Sequence, residues 1–130
     1  MPSPTPEPIS TTKANPPYGP YNQGVRWGNL IFTASVSGKR PGHPEPDAND
    51  VRAHAAGALE NIRDILEAGG SSLDCVLKVT AYLRDMADYT AMNEVYTEYF
   101  TGVLPARSLV PVPAARGPVS FDAIAYVPER

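Results

Sequence analysis

Few side chains in this 130-residue chain combine the chemistry and the setting needed to act on a small molecule. Arg107 is one. A guanidinium fork offers two parallel donors to a carboxylate, a geometry that lysine cannot reproduce; the plainer alternative is a surface or interface salt bridge. Tyr21 follows Gly19-Pro20, and the rigid proline fixes the direction of its ring. It is either a ligand-facing phenol or a packed aromatic with an internally satisfied hydroxyl. Asn93 falls in a segment of helical periodicity, where asparagine is mildly unfavourable unless its amide has a task. That task is a contact in a cleft or a hydrogen bond between helices or subunits. In Val119-Ser120-Phe121-Asp122, Ser120 and Asp122 share one face of a strand, about 7 Å apart. A serine hydroxyl with no base beside it is a poor proton acceptor near neutral pH. Asp122 is then a partial substitute for a base, or a solvated or salt-bridged edge residue.

The remaining reactive residues point elsewhere. Cys75 is the single cysteine, which excludes an intramolecular disulfide and fits a reducing, cytoplasmic setting. It follows Leu73-Asp74 with no histidine near it in sequence, and reads as a buried structural thiol. His43 and His54 lack the paired cysteine or carboxylate spacing of a metal site. His54 reads as a solvent-facing or partly packed helix residue. Neither metal nor cofactor is expected.

The elements that must position these residues can be read from pattern. Pro2, Pro4, Pro6 and Pro8 alternate with small or polar residues, which predicts an extended, mobile tail over residues 1–9, ahead of a single domain over 10–130. Residues 24–37 predict two short strands broken at Trp27-Gly28-Asn29, where glycine and asparagine suit a hairpin. Asn49 or Asp50 caps a first helix that runs to about Ala68 and ends at Gly69-Gly70. Its stripe is Val51, Ala55, Ala58, Ile62 and Ile65. A strand follows over about 76–83. Asp88 caps a second helix with Tyr89, Met92, Tyr96 and Tyr99 on one side. Two last strands lie at about 106–112 and 119–127. Strands, helix, strand, helix and two strands make an α+β layer, one sheet with both helices on one face. The other face then needs cover, which sheets closing around a trimer axis would supply.

Composition narrows the function. A hydrophobic share of 42% and a charged share of 19% are ordinary for a globular domain. A formal net charge of −3 without a run of Lys or Arg disfavours nucleic acid. No secretory signal is visible, and no apolar run approaches the roughly 20 residues of a membrane helix.

Three segments, in this order, resemble the Rid family of reactive-intermediate imine deaminases (the YjgF/UK114 type). They are Gly19-Pro20-Tyr21-Asn22-Gln23 with Gly28-Asn29-Leu30-Ile31-Phe32-Thr33; Leu66-Glu67-Ala68-Gly69-Gly70-Ser71 with Val79-Thr80-Ala81-Tyr82-Leu83-Arg84-Asp85-Met86 and Met92-Asn93-Glu94-Val95-Tyr96; and Pro105-Ala106-Arg107-Ser108 with Asp122-Ala123-Ile124-Ala125. The resemblance implies a chorismate-mutase-like α+β fold and a homotrimer with clefts between subunits. It implies hydrolysis of 2-imino or 2-enamino acids to 2-keto acids and ammonia, without cofactor or metal. Arg107 resembles the arginine that holds the substrate carboxylate and Tyr21 the tyrosine that lines the cleft; in that reaction Tyr21 and Asn93 would orient the reacting nitrogen. Three positions depart from the family pattern. Ser120 stands where active members usually carry an acidic residue, Ser35 where glycine is usual, and Leu109 where cysteine is common. These departures open two alternatives: a cleft repurposed for a larger carboxylate substrate, or a binding protein without turnover.

Overall fold

The computed structural model describes residues 5–129. Its elements are β1 (Glu7–Ile9), β2 (Gly24–Trp27), β3 (Leu30–Thr33), α1 (Val51–Ala68), β4 (Val76–Leu83), α2 (Tyr89–Tyr99), β5 (Ala106–Pro111) and β6 (Val119–Tyr126). The strands form one mixed six-stranded sheet in the order β1-β2-β3-β6-β4-β5. Neighbours are antiparallel except β4 and β5, which run parallel with α2 as their crossover. The α+β layer expected from the pattern is the one observed.

Local chemistry explains the elements. Trp27 and Leu30 pair across a two-residue turn in which Gly28 has φ +59° and Asn29 does not enter positive φ. This is the glycine-first turn that matches strand twist. Asp50 caps α1, its carboxylate accepting from the Ala53 amide at 3.0 Å. Gly70, at φ +93°, carries the chain away from the other end. Asp88 occupies the N-cap of α2 but makes no side-chain cap bond. Asp85 does that work one turn earlier, accepting from the Ala87 amide at 2.9 Å.

The sheet is sharply two-sided. Val119, Phe121, Ala123 and Ala125 of β6, with Val79, Ala81 and Leu83 of β4, are buried beneath Leu59, Ile62 and Leu66 of α1 and Met92 and Val95 of α2. The opposite face carries Phe32, Val110 and Tyr126, each more than a third exposed. Within one described chain, nothing covers that face.

Three expectations need correction. The predicted tail is ordered at Glu7–Ile9, which pairs with β2; residues 1–4 lie outside the described residues. Buried Ile9 joins the core, and Pro8 is tolerated because an edge strand leaves one side without donors to satisfy. His54 is only 2% exposed, because the first turn of α1 lies under the segment around Gly38. Asp122 is not at an edge, since β6 runs between β3 and β4, and it accepts from the Tyr82 hydroxyl at 2.7 Å.

Candidate active site

Two groups of residues are built on opposite faces of the sheet. On the open face, a cavity of about 210 Å³ is lined by Tyr18, Tyr21, Ser35, Ser37 and Ser120 among others, and none of its lining residues is acidic. The Ser35 and Ser120 hydroxyls lie 3.2 Å apart, joining two of the positions that depart from the family pattern. Tyr21 is about half exposed, and its hydroxyl accepts from the Tyr18 amide at 3.1 Å. Asp122 shares this face, two residues along β6, engaged by Tyr82. That hydrogen bond, ahead of partial burial, pushes the Tyr82 phenol above its usual value.

Two buried amides shape the cavity, and neither was singled out from sequence. The Gln23 side chain accepts from the Thr11 amide at 2.7 Å and donates to the carbonyls of Thr11, Ala14 and Asn15. It ties the segment leading to Tyr18 onto β2. Asn61 accepts from Arg40 and from the Asn15 amide, and donates to the carbonyls of Ser37 and Lys39. One α1 side chain thus fixes both lips of the cavity. The available signal was an amide beside the apolar stripe at Ala58, Ile62 and Ile65, since a buried amide persists only when bonded. Gly57 allows the close approach this requires, because a Cβ there would lie 2.3 Å from the Gly38 carbonyl oxygen.

On the helix-covered face, Arg107 opposes buried Val79 and Leu109 opposes buried Ala81 across β4 and β5. Arg107 therefore points toward α2. Its guanidinium donates to Asn93 Oδ1 at 2.8 Å and to the Tyr89 hydroxyl at 3.4 Å. It also lies 4.8 Å from the Tyr96 ring centroid, within cation–π range. The Tyr96 hydroxyl is buried without a partner among the described residues. Burial raises its pKa, and Arg107 acts in the opposite sense. Tyr89, Asn93 and Tyr96 recur at the four- and three-residue spacing of one helix face. The sequence pattern showed those tyrosines only as an apolar stripe. Leu109 packs against the core as a half-buried apolar neighbour.

The sheet thus separates Arg107, Asn93 and Leu109 from Tyr21, Ser35, Ser120 and Asp122 within one chain. Among the described residues no cluster of His, Cys, Asp or Glu could hold a metal ion. Cys75 is free and buried. No described helix is long and apolar enough to cross a membrane.

Residues 11–127 match the family model described as Endoribonuclease L-PSP. The chain belongs to the YjgF/Rid family. A RutC family protein of Pyrococcus abyssi is 44% identical over 127 residues, covering 92% of this chain and 96% of the relative. The 2-iminobutanoate/2-iminopropanoate deaminase of Mus musculus is 40% identical over 119 residues, covering 90% and 88% of the two chains. Among solved structures of Rid proteins, the YjgF gene product of E. coli superposes with a TM-score of 0.84 at 33% identity, covering 92% of this chain and 98% of that one.

Proposed function

We propose that this Rid protein hydrolyses small 2-imino and 2-enamino acids to 2-keto acids and ammonia, in the cytoplasm, at clefts between the subunits of a homotrimer. The observation that carries the reading is Arg107. Asn93 and Tyr96 hold its guanidinium in place, which leaves further donors free for a carboxylate. The imine deaminase name of the mouse relative supports the same reaction class. The trimer joins the Arg107 side of one subunit to the Tyr21 and Ser120 side of its neighbour.

In the proposed reaction, water adds to the imine carbon to give a carbinolamine. The nitrogen then takes a proton and leaves as ammonia, and the carbon becomes a keto group. Arg107 holds the substrate carboxylate and Asn93 the reacting nitrogen. Tyr21, Ser35 and Ser120 orient the water, and Leu109 gives the pocket an apolar wall. Asp122 lies roughly 7 Å further along the strand, where it can take the water's proton through an intervening solvent molecule. No cofactor or metal enters these steps. The endoribonuclease activity in the family model's description finds little support in this chain, because a net charge of −3 without a basic run gives RNA no electrostatic footing.

A second reading, binding without turnover, draws on the absence of any acidic residue in the cavity lining. The deciding experiment is ammonia release from 2-iminopropanoate generated in situ by an amino-acid oxidase. Release above the enzyme-free background is expected, with a loss of at least about 100-fold in Arg107→Ala. Folded trimer that binds 2-keto acids but releases no ammonia would overturn catalysis in favour of binding.

A further inference from the structure

The Tyr82 hydroxyl donates to Asp122 Oδ2 at 2.7 Å, on the sheet face that carries Ser120 and away from both helices. The register explains how the two meet. Tyr82 stands directly opposite Ser120, and Thr80 opposite Asp122. Tyr82 and Asp122 are therefore diagonal neighbours, a separation that a long aromatic side chain can span. The serine opposite Tyr82 is short, which leaves that diagonal open. An ionised carboxylate can only accept, so the phenol is the donor, and the charge on the acceptor strengthens the bond.

The sheet does not need this bond to hold together. β4 and β6 already share an antiparallel ladder that runs from Val76 opposite Ala125 to Leu83 opposite Val119. Both side chains are only partly buried, and a single hydrogen bond there adds little stability. Its specific effect is on the carboxylate. An aspartate on an open face otherwise samples several χ1 wells and a broad χ2. With Oδ2 on Tyr82 one orientation is selected, and Oδ1 keeps no partner among the described residues. Lys78 shares this face, but it donates to Ser108 at 3.1 Å and forms no ion pair with Asp122. Among the described residues Tyr82 alone fixes the group.

We propose that Tyr82 is a positioning residue, holding Asp122 ready to receive the proton of the attacking water. This role rests on the imine-hydrolysis reading. Water's oxygen joins the imine carbon while one of its protons passes to Asp122 and on to the nitrogen, giving the carbinolamine. The hydroxyl proton then follows the same route as the C–N bond breaks, giving the keto group and ammonia. Asp122 ends ionised, as it began, and Tyr82 keeps its own proton throughout.

The test measures ammonia release from 2-iminopropanoate by the full chain in wild type, Tyr82→Phe, Asp122→Asn and the double variant. Each substitution preserves side-chain shape, and circular dichroism with light scattering checks that fold and assembly are retained. Tyr82→Phe should lower kcat about tenfold and leave KM within about twofold, because the grip of Arg107 on the carboxylate is untouched. Asp122→Asn should cost at least about 100-fold, and adding Tyr82→Phe to it should cost nothing more. A wild-type kcat in Tyr82→Phe would overturn the assignment. So would losses that multiply in the double variant, since a merely structural tyrosine acts with or without the carboxylate. No ammonia from wild type would remove the reaction and this role together, whereas release that is insensitive to Tyr82→Phe removes the role alone.

Discussion

Arg107 is held from two sides, by the Asn93 amide and by the Tyr96 ring, and each support predicts a separable effect. Asn93→Ala removes one hydrogen bond while the ring contact remains, so the loss in kcat/KM should be smaller than for Arg107→Ala, on the order of tenfold. Steady-state ammonia release measures both, and an unchanged rate in Asn93→Ala would remove Asn93 from the site. Arg107→Lys should behave more like the alanine variant than like wild type, because an ammonium cannot form the fork. At Ser120 the expectation runs the other way. Ser120→Glu places a carboxylate in a cavity wall that has none and should raise the rate of ammonia release by about tenfold. A fall in rate would mean that the Ser35–Ser120 pair is itself required. Arg107 stood out by residue type and context, and Ser120 only against the pattern of the family that the sequence resembles. Gln23 and Asn61 did not, because an amide becomes a fixed part of a site only when distant carbonyls converge on it, and no local pattern encodes that convergence.

At the level of elements, α1 is tied to both of its neighbours. Tyr99 of α2 donates to Glu60 of α1 at 2.6 Å. Burial first, and then Glu60, push its phenol up to about 12 from an ordinary 10.0. The unfolded phenol loses its proton first, so this contribution to stability is complete below about pH 10 and is lost as pH rises toward 12. Tyr99→Phe should therefore flatten the fall in denaturation midpoint between those values, and an unchanged slope would remove Tyr99 as its source. On the other side, Gly57 meets the segment at Gly38. Alanine for glycine inside a helix ordinarily stabilises by up to about 1 kcal/mol. Here the methyl would overlap the Gly38 carbonyl, and Gly57→Ala should destabilise by about 2 kcal/mol in urea unfolding. Periodicity placed both helices and five of the six strands within a few residues, including the hairpin. It missed β1 because three residues cannot display a period, and alternating prolines resemble an extended coil until a partner strand is present.

For the molecule as a whole, the open face of the sheet is the feature to explain. Phe32, Val110 and Tyr126 are exposed there in a single chain, and apolar groups gathered on one sheet face favour burial against another copy. Light scattering should give a mass three times that of the chain. Phe32→Lys, on that face, should yield smaller species that keep their far-UV circular dichroism and lose deaminase activity. A monomeric wild-type protein with full activity would remove the shared cleft. The layer architecture was readable because both helices carry apolar stripes, whereas assembly lies in a surface that one chain's periodicity leaves unassigned. The placement of Arg107 and Ser120 on opposite faces has a genetic consequence. Two inactive alleles, one lacking the arginine side and one lacking Tyr21, should rescue each other when co-expressed. In the proposed trimer each cleft would draw its two sides from different subunits, so random mixing should restore both intact sides in about a quarter of the clefts. Neither parent protein, nor any mixture whose subunits do not exchange, would show that recovery.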